Sequence, residues 1–221
     1  MNKLKTLVFA LLASFATSPL YAGSADFAGP FIGVQASSIG VELDGTFTDS
    51  QGAASKGTGG KTAQIGGLEL GYNIPLGESL FVGIGGTWVP GDADIGKAED
   101  AAKTGEVKLN AEAFLSYYVK PSISLSDSSA MYIKIGQSEA DLAVTGDFTG
   151  SSSKELSGDL VAIGSTSIFP SGMFVQTEAG LIEYDSITVN DIGNAGNNGG
   201  KADAKADPSI AYGAITIGYK F

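Results

Sequence analysis

Apolar and polar residues alternate one for one along most of this chain, and helical spacing is scarce. Eight segments read as strands: residues 31–43, 62–74, 80–89, 107–119, 130–142, 158–169, 173–184 and 208–221. Side chains of a strand point alternately to its two faces, so each segment divides into an apolar and a mixed face. In the fourth, Val107, Leu109, Ala111, Ala113, Leu115, Tyr117 and Val119 oppose Lys108, Asn110, Glu112, Phe114, Ser116 and Tyr118. In the last, Ile215, Ile217, Tyr219 and Phe221 oppose Ala214, Thr216, Gly218 and Lys220. Only the Ala/Glu/Lys stretch at 98–106 is expected to form a helical turn. The gaps between segments run about 18, 5, 17, 10, 15, 3 and 23 residues. Strict alternation of long and short gaps is the trace of up-and-down strands with short turns at one end and long loops at the other. Pro75-Leu76-Gly77-Glu78, Lys120-Pro121-Ser122 and Pro170-Ser171-Gly172 carry turn chemistry for the short connections. The expected fold is all-β: an eight-stranded antiparallel up-and-down transmembrane β-barrel, one domain over residues 23–221.

Alternation alone also describes a soluble sheet with its apolar face inward. Two features favour an apolar outside. The mixed face sets Glu and Lys singly among Gly, Ser, Phe and Tyr, unlike a solvated surface, and Tyr72, Trp88, Tyr117, Tyr219 and Phe221 fall at segment ends, where interfacial girdles sit. Trp88, Tyr219 and Phe221 are the expected girdle and insertion signal. The expected lumen is then polar, with Glu69, Glu112 and Glu178 set against Lys108, Lys134 and Lys220. Eight strands enclose just enough space for their own side chains, so these charges are expected to pair with one another. A narrow polar pore through the same charges is the alternative.

Residues 1–22 read as a secretory leader: Lys3 and Lys5 precede an apolar run at 7–16, and Leu20-Tyr21-Ala22 offers a cleavage site, with a cut after Ala25 as the alternative. The run is too short to span a bilayer, which takes about 20 residues. The 221-residue chain carries a formal charge of −11, and removing Lys3 and Lys5 makes it −13. All thirteen basic residues are Lys, and so acidic a balance argues against nucleic-acid binding, which depends on clustered Lys and Arg to neutralise phosphates. Cys and His are both absent. Without His, the Ser-His-acid and Asp-His arrangements have no general base, and zinc or copper lacks its usual ligands. Asp92, Asp94, Glu99 and Asp100 resemble a calcium loop only faintly and read as a solvated acidic loop. Gly57–Lys61 lacks phosphate-loop spacing. No catalytic, cofactor-binding or metal residue is expected. Gly, at 32 of 221, points to close-packed strands.

The opening PFIGVQASSIG, the segments LELGYNI and FVQTEAG and the closing AITIGYKF resemble the small eight-stranded outer-membrane barrels of the OmpA-type and opacity-protein class. The resemblance is a pattern over nearly the whole chain. It departs at Thr216, where such families commonly carry Gly, and no peptidoglycan-binding domain follows in this sequence. It implies a bacterial outer-membrane surface protein, often an adhesin, antigen or membrane-structural protein. It further implies contact with outer-membrane lipid and lipopolysaccharide, and with the barrel-assembly machinery during insertion. What the loops bind is left open. The expected role is structural or in surface interaction, without catalysis. A narrow channel for ions or small solutes is the alternative, and a soluble lipocalin-like barrel would instead turn the Leu and Val faces inward.

Overall fold

The computed structural model describes residues 23–48, 54–99, 106–146, 152–192 and 202–221; the leader, 1–22, lies outside the described residues. Nine strands follow in order: β1 (Gly29–Thr48), β2 (Ala54–Pro75), β3 (Leu80–Glu99), β4 (Glu106–Ser126), β5 (Ser129–Gly146), β6 (Ser152–Ile168), β7 (Met173–Tyr184), β8 (Ile187–Ile192) and β9 (Ala202–Lys220). Each pairs antiparallel with its neighbour, and β1 pairs with β9 from Phe31↔Lys220 to Thr48↔Asp203, which closes the sheet. β7 and β8 both pair with β9 and are two halves of one stave, broken at Asp185-Ser186. The result is a closed eight-stave antiparallel barrel.

The outer wall carries the apolar face. Ile32, Val34, Leu68, Leu70, Ile74, Leu80, Ile84, Leu115, Val119, Ile215 and Ile217 are all exposed there. Trp88 and Tyr117 stand at one rim of this belt, and Met173, Tyr219 and Phe221 at the other. Those side chains alternate with buried ones: Glu69 lies between Leu68 and Leu70, and Thr216 between Ile215 and Ile217. A soluble barrel would show the reverse.

The strands outrun the belt. A tilted strand crosses a bilayer with about 9–11 residues, but β1 to β6 and β9 are 17–22 residues long. The long connections expected as loops are therefore largely strand, and Ala98 and Glu99, expected in a helical turn, end β3. Above the belt the wall divides. The β2–β3 ladder stops at Leu68↔Trp88 and the β6–β7 ladder at Gly158↔Tyr184, while the other ladders run on. Among the described residues, two four-stranded sheets thus rise from one ring: β8-β9-β1-β2 and β3-β4-β5-β6.

One expected turn is misplaced. Lys120-Pro121-Ser122 lies inside β4, and the turn falls at Asp127-Ser128. Pro121 lacks an amide proton. It keeps its place opposite Val82 on β3, while the ladder to β5 skips from Val119↔Ile135 to Ser122↔Tyr132.

Placing a charge on the belt should cost stability according to depth. Ile217→Lys is expected to lower the unfolding free energy by about 2–4 kcal/mol. Gln64→Lys, exposed on β2 beyond the belt, should stay within about 0.5 kcal/mol. Urea titration of the barrel refolded into lipid vesicles checks both.

Candidate functional site: a sealed lumen

The barrel interior is filled at the depth of the belt by one connected polar cluster. Lys134 on β5 is 2% exposed, and its Nζ lies 2.7 Å from Glu178 Oε2 on β7 and 3.3 Å from Glu69 Oε1 on β2. Tyrosines saturate the carboxylates: Tyr118 Oη donates to Glu69 Oε1 at 2.5 Å, Tyr132 to Glu178 Oε2 at 2.9 Å and Tyr212 to Glu178 Oε1 at 2.7 Å. Gln176 Nε2 donates to Glu69 Oε2 at 2.7 Å, and Gln176 Oε1 accepts from Lys120 Nζ at 2.7 Å and Thr166 Oγ1 at 3.1 Å. Lys120 Nζ also lies 4.7 Å from the Phe31 ring centre and 4.9 Å from that of Tyr132, and Lys134 Nζ lies 4.3 Å from that of Tyr118. Cations at that range gain from the ring quadrupole.

The pattern follows from the pleat. Every second residue of a strand enters the lumen, so Glu178 and Gln176 arrive as a pair from β7, Lys134 and Tyr132 from β5, and Lys120 and Tyr118 from β4. Glycines opposite make room: a Cβ at Gly180 would lie 2.6 Å from the Tyr212 ring, and one at Gly85 2.7 Å from Tyr118 Oη. Two Glu and two Lys leave the cluster formally neutral. Glu69 is fully enclosed and Lys120, Tyr132 and Lys134 are buried, while Thr166 and Tyr212 are half-buried.

Of the six lumen charges expected from sequence, the structure brings Glu69, Lys134 and Glu178 together. Lys220 does not join them. It ends the closing strand at the short-turn mouth, and its Nζ donates to the Asp26 carbonyl at 2.9 Å. The side chains of Lys108 and Glu112 lie outside the described residues. The second buried cation is Lys120, which sequence reasoning assigned to a turn because Pro121 follows it; its place in phase with Tyr118 was the available signal. Trp88, Tyr219 and Phe221 stand on the outer wall, where Tyr219 and Phe221 meet edge to face at 5.1 Å.

The lumen is not polar throughout. Beyond the cluster, toward the long hairpins, Ile39, Val89, Phe114, Leu160, Ile182 and Ile210 form an apolar core joined by Ile65 and Tyr212. A small cavity remains between this core and Lys134 and Glu178. On the other side of the cluster, Phe27 and Phe31 border a second small cavity with Lys120 and Lys220. No group of His, Cys, Asp and Glu suited to a metal occurs among the described residues.

A closed barrel with an apolar wall and a filled interior defines a transmembrane β-barrel. A family model for the outer membrane protein beta-barrel domain matches residues 7–220, and the chain belongs to that family. It is therefore a bacterial outer-membrane protein, and by the rule for such barrels the short turns face the periplasm and the long hairpins the exterior. No curated protein matches the chain significantly. Among solved structures, the outer membrane protein OprG from Pseudomonas aeruginosa is 14% identical with a TM-score of 0.55, covering 91% of this chain and 99% of that one. Ail, the attachment invasion locus protein of Yersinia pestis, is 12% identical with a TM-score of 0.46 over 86% and 99%. Neisserial surface protein A is 18% identical with a TM-score of 0.38 over 87% and 99%. The likeness to OprG speaks to the fold alone.

Removing one member of a buried ion cluster strands its partners in low dielectric. Lys134→Ala is expected to cost about 3–5 kcal/mol. Simultaneous replacement of Glu69, Lys134 and Glu178 by Gln, Met and Gln should recover much of that loss. Vesicle-based unfolding of the single and triple variants tests this.

Proposed function

We propose that this protein is a sealed, non-catalytic outer-membrane anchor that carries its two four-stranded sheets into contact with the cell's surroundings. The observation that carries this reading is the closed cross-section. Glu69, Lys134, Glu178, Lys120, Gln176 and three tyrosines occupy the lumen at belt depth. Ions crossing there would have to break several buried hydrogen bonds at once, each backed by desolvated charge. The apolar core above adds a second barrier, since a pore lined by Ile, Leu and Phe holds water poorly. A narrow channel is the weaker reading on both counts.

Catalysis is disfavoured by composition, as the chain has neither His nor Cys to serve as base or nucleophile. The surface role is supported by the long strands, which place backbone edges of β2, β3, β6 and β8 outside the membrane, where extended partners can pair. Lipid and lipopolysaccharide meet the belt and its outer rim in this account, and the barrel-assembly machinery reads the closing strand. Trp88 anchors the outer rim, and Tyr219 and Phe221 serve as girdle and insertion signal.

Planar-bilayer recording is the test. The wild-type barrel is expected to give no stable unitary conductance, and Lys134→Ala, if it inserts, should give intermittent openings. A steady wild-type conductance selective for one ion sign would replace the anchor with a channel.

A further inference from the structure

The periplasmic mouth is covered by the chain's own first described residues. Ser24–Phe27 forms one 3-10 turn beneath the barrel. Ser24 is 2% exposed; its amide donates to the Glu78 carbonyl at 2.7 Å and its hydroxyl to the Gly77 carbonyl. Phe27, also 2% exposed, stacks on Phe81 with ring centres 5.1 Å apart, and its carbonyl accepts from Asn73 Nδ2 at 2.9 Å. Lys220 Nζ holds the Asp26 carbonyl. Gly29, at φ +111°, then turns the chain up into β1; a Cβ there would lie 2.7 Å from the Phe221 carbonyl oxygen.

Two carboxylates border the start of this cap. The Gly23 amide donates to Asp127 Oδ1 at 3.3 Å, and a Cβ on Gly23 would lie 2.8 Å from Asp26 Oδ2. The Gly23 amide makes one neutral hydrogen bond to Asp127; an ammonium at the same place makes that bond charge-assisted, with the Asp26 carboxylate beside Gly23 as a second anion. We infer that export processing cuts immediately before Gly23, and that the new α-ammonium is latched by Asp127 and Asp26 to fix the periplasmic cap. The inference rests on residues 1–22 being a removable leader. The processing peptidase adds one water across the Ala22–Gly23 bond, leaving a carboxylate on Ala22 and an amine on Gly23. That amine is mainly protonated at neutral pH, since α-amino groups titrate near 7.7–8.0. Lys220 is the like charge nearby, and its ammonium is turned to the Asp26 carbonyl, on the cap's own backbone. A cut after Ala25 would remove Gly23 and the buried Ser24, leaving the Gly77 and Glu78 carbonyls without their donors.

Intact-mass measurement on the barrel extracted from outer membranes reads the first half of the inference. A mass for residues 23–221 is expected; a mass for 26–221, or for the uncut chain, overturns it. The latch is read separately, as the acylation rate of the α-amino group at pH 7 in the folded barrel. Asp127→Asn should raise that rate about two- to fivefold, the range an exposed ion pair supports, and leave it unchanged in urea. Equal rates in the folded wild type and variant overturn the latch. Bilayer recordings are independent of both results, so this inference and the sealed-anchor reading fail separately.

Discussion

The structure depends on how a charged lumen is kept inside lipid. Lys134 lies between Glu69 and Glu178 at the depth where the outer wall is Leu, Ile and Val, and is itself buried. Burial of an ion there is tolerated only when opposite charge and hydrogen bonds replace its hydration. The tyrosines of β4, β5 and β9 complete that replacement by donating to Glu69 Oε1 and to both Glu178 oxygens, and Gln176 donates to Glu69 Oε2. Because the partners come from β2, β4, β5, β6, β7 and β9, the cluster braces the barrel across its diameter. One requirement thus fixes the inward residues of six strands and, through the pleat, the lipid-facing residues beside them.

Backbone satisfaction sets the second constraint. In hydrocarbon an unpaired amide has no water to bind, so the belt must be a closed ladder. Closure is complete where it is needed, from β1 with β9 around to β7 with β9. Beyond the belt the requirement lapses, and there the ladders between β2 and β3 and between β6 and β7 end. The division into two sheets follows from the change of solvent. Among the described residues it also leaves the edges of β2, β3, β6 and β8 without a neighbouring strand ladder on the outer side, which is the side a surface role uses.

Much of this was legible in the sequence, and the omissions have physical causes. Period-two alternation located all eight staves, and for β7 it gave the same limits the structure has. The phase of Glu69 and Lys134 was legible because each sits between apolar neighbours, and that of Glu178 because it shares a face with Gln176 opposite Val175, Ala179 and Leu181. Lys120 was not, because Pro121 reads as a breaker unless the free side of its ladder is known. The strand extensions beyond the belt were hidden for a different reason. Ala54–Lys61 and Ala202–Asp207 are held by backbone pairing, and residues 56–61 are exposed whichever face they are on, so hydropathy carries no trace of that extension. The apolar upper lumen was missed because Ile39, Ile65 and Ile210 mimic the outer face when the register of neighbouring strands is not fixed. The cap was invisible because its bonds join residues distant in sequence, such as Gly23 to Asp127.

The central claim is that the charges at belt depth are sealed from water by one another. The side-chain ammonium of Lys134 reports this directly, since lysine ammonium protons exchange rapidly with solvent unless bonded and enclosed. In nitrogen-15 NMR spectra of the barrel in lipid nanodiscs at neutral pH, two ammonium resonances assigned to Lys134 and Lys120 should persist with slow exchange, and the Lys134 signal should shift in Glu178→Gln. Exchange of the Lys134 ammonium as fast as that of exposed lysines such as Lys205 would contradict the account, because water would then reach the centre of the barrel.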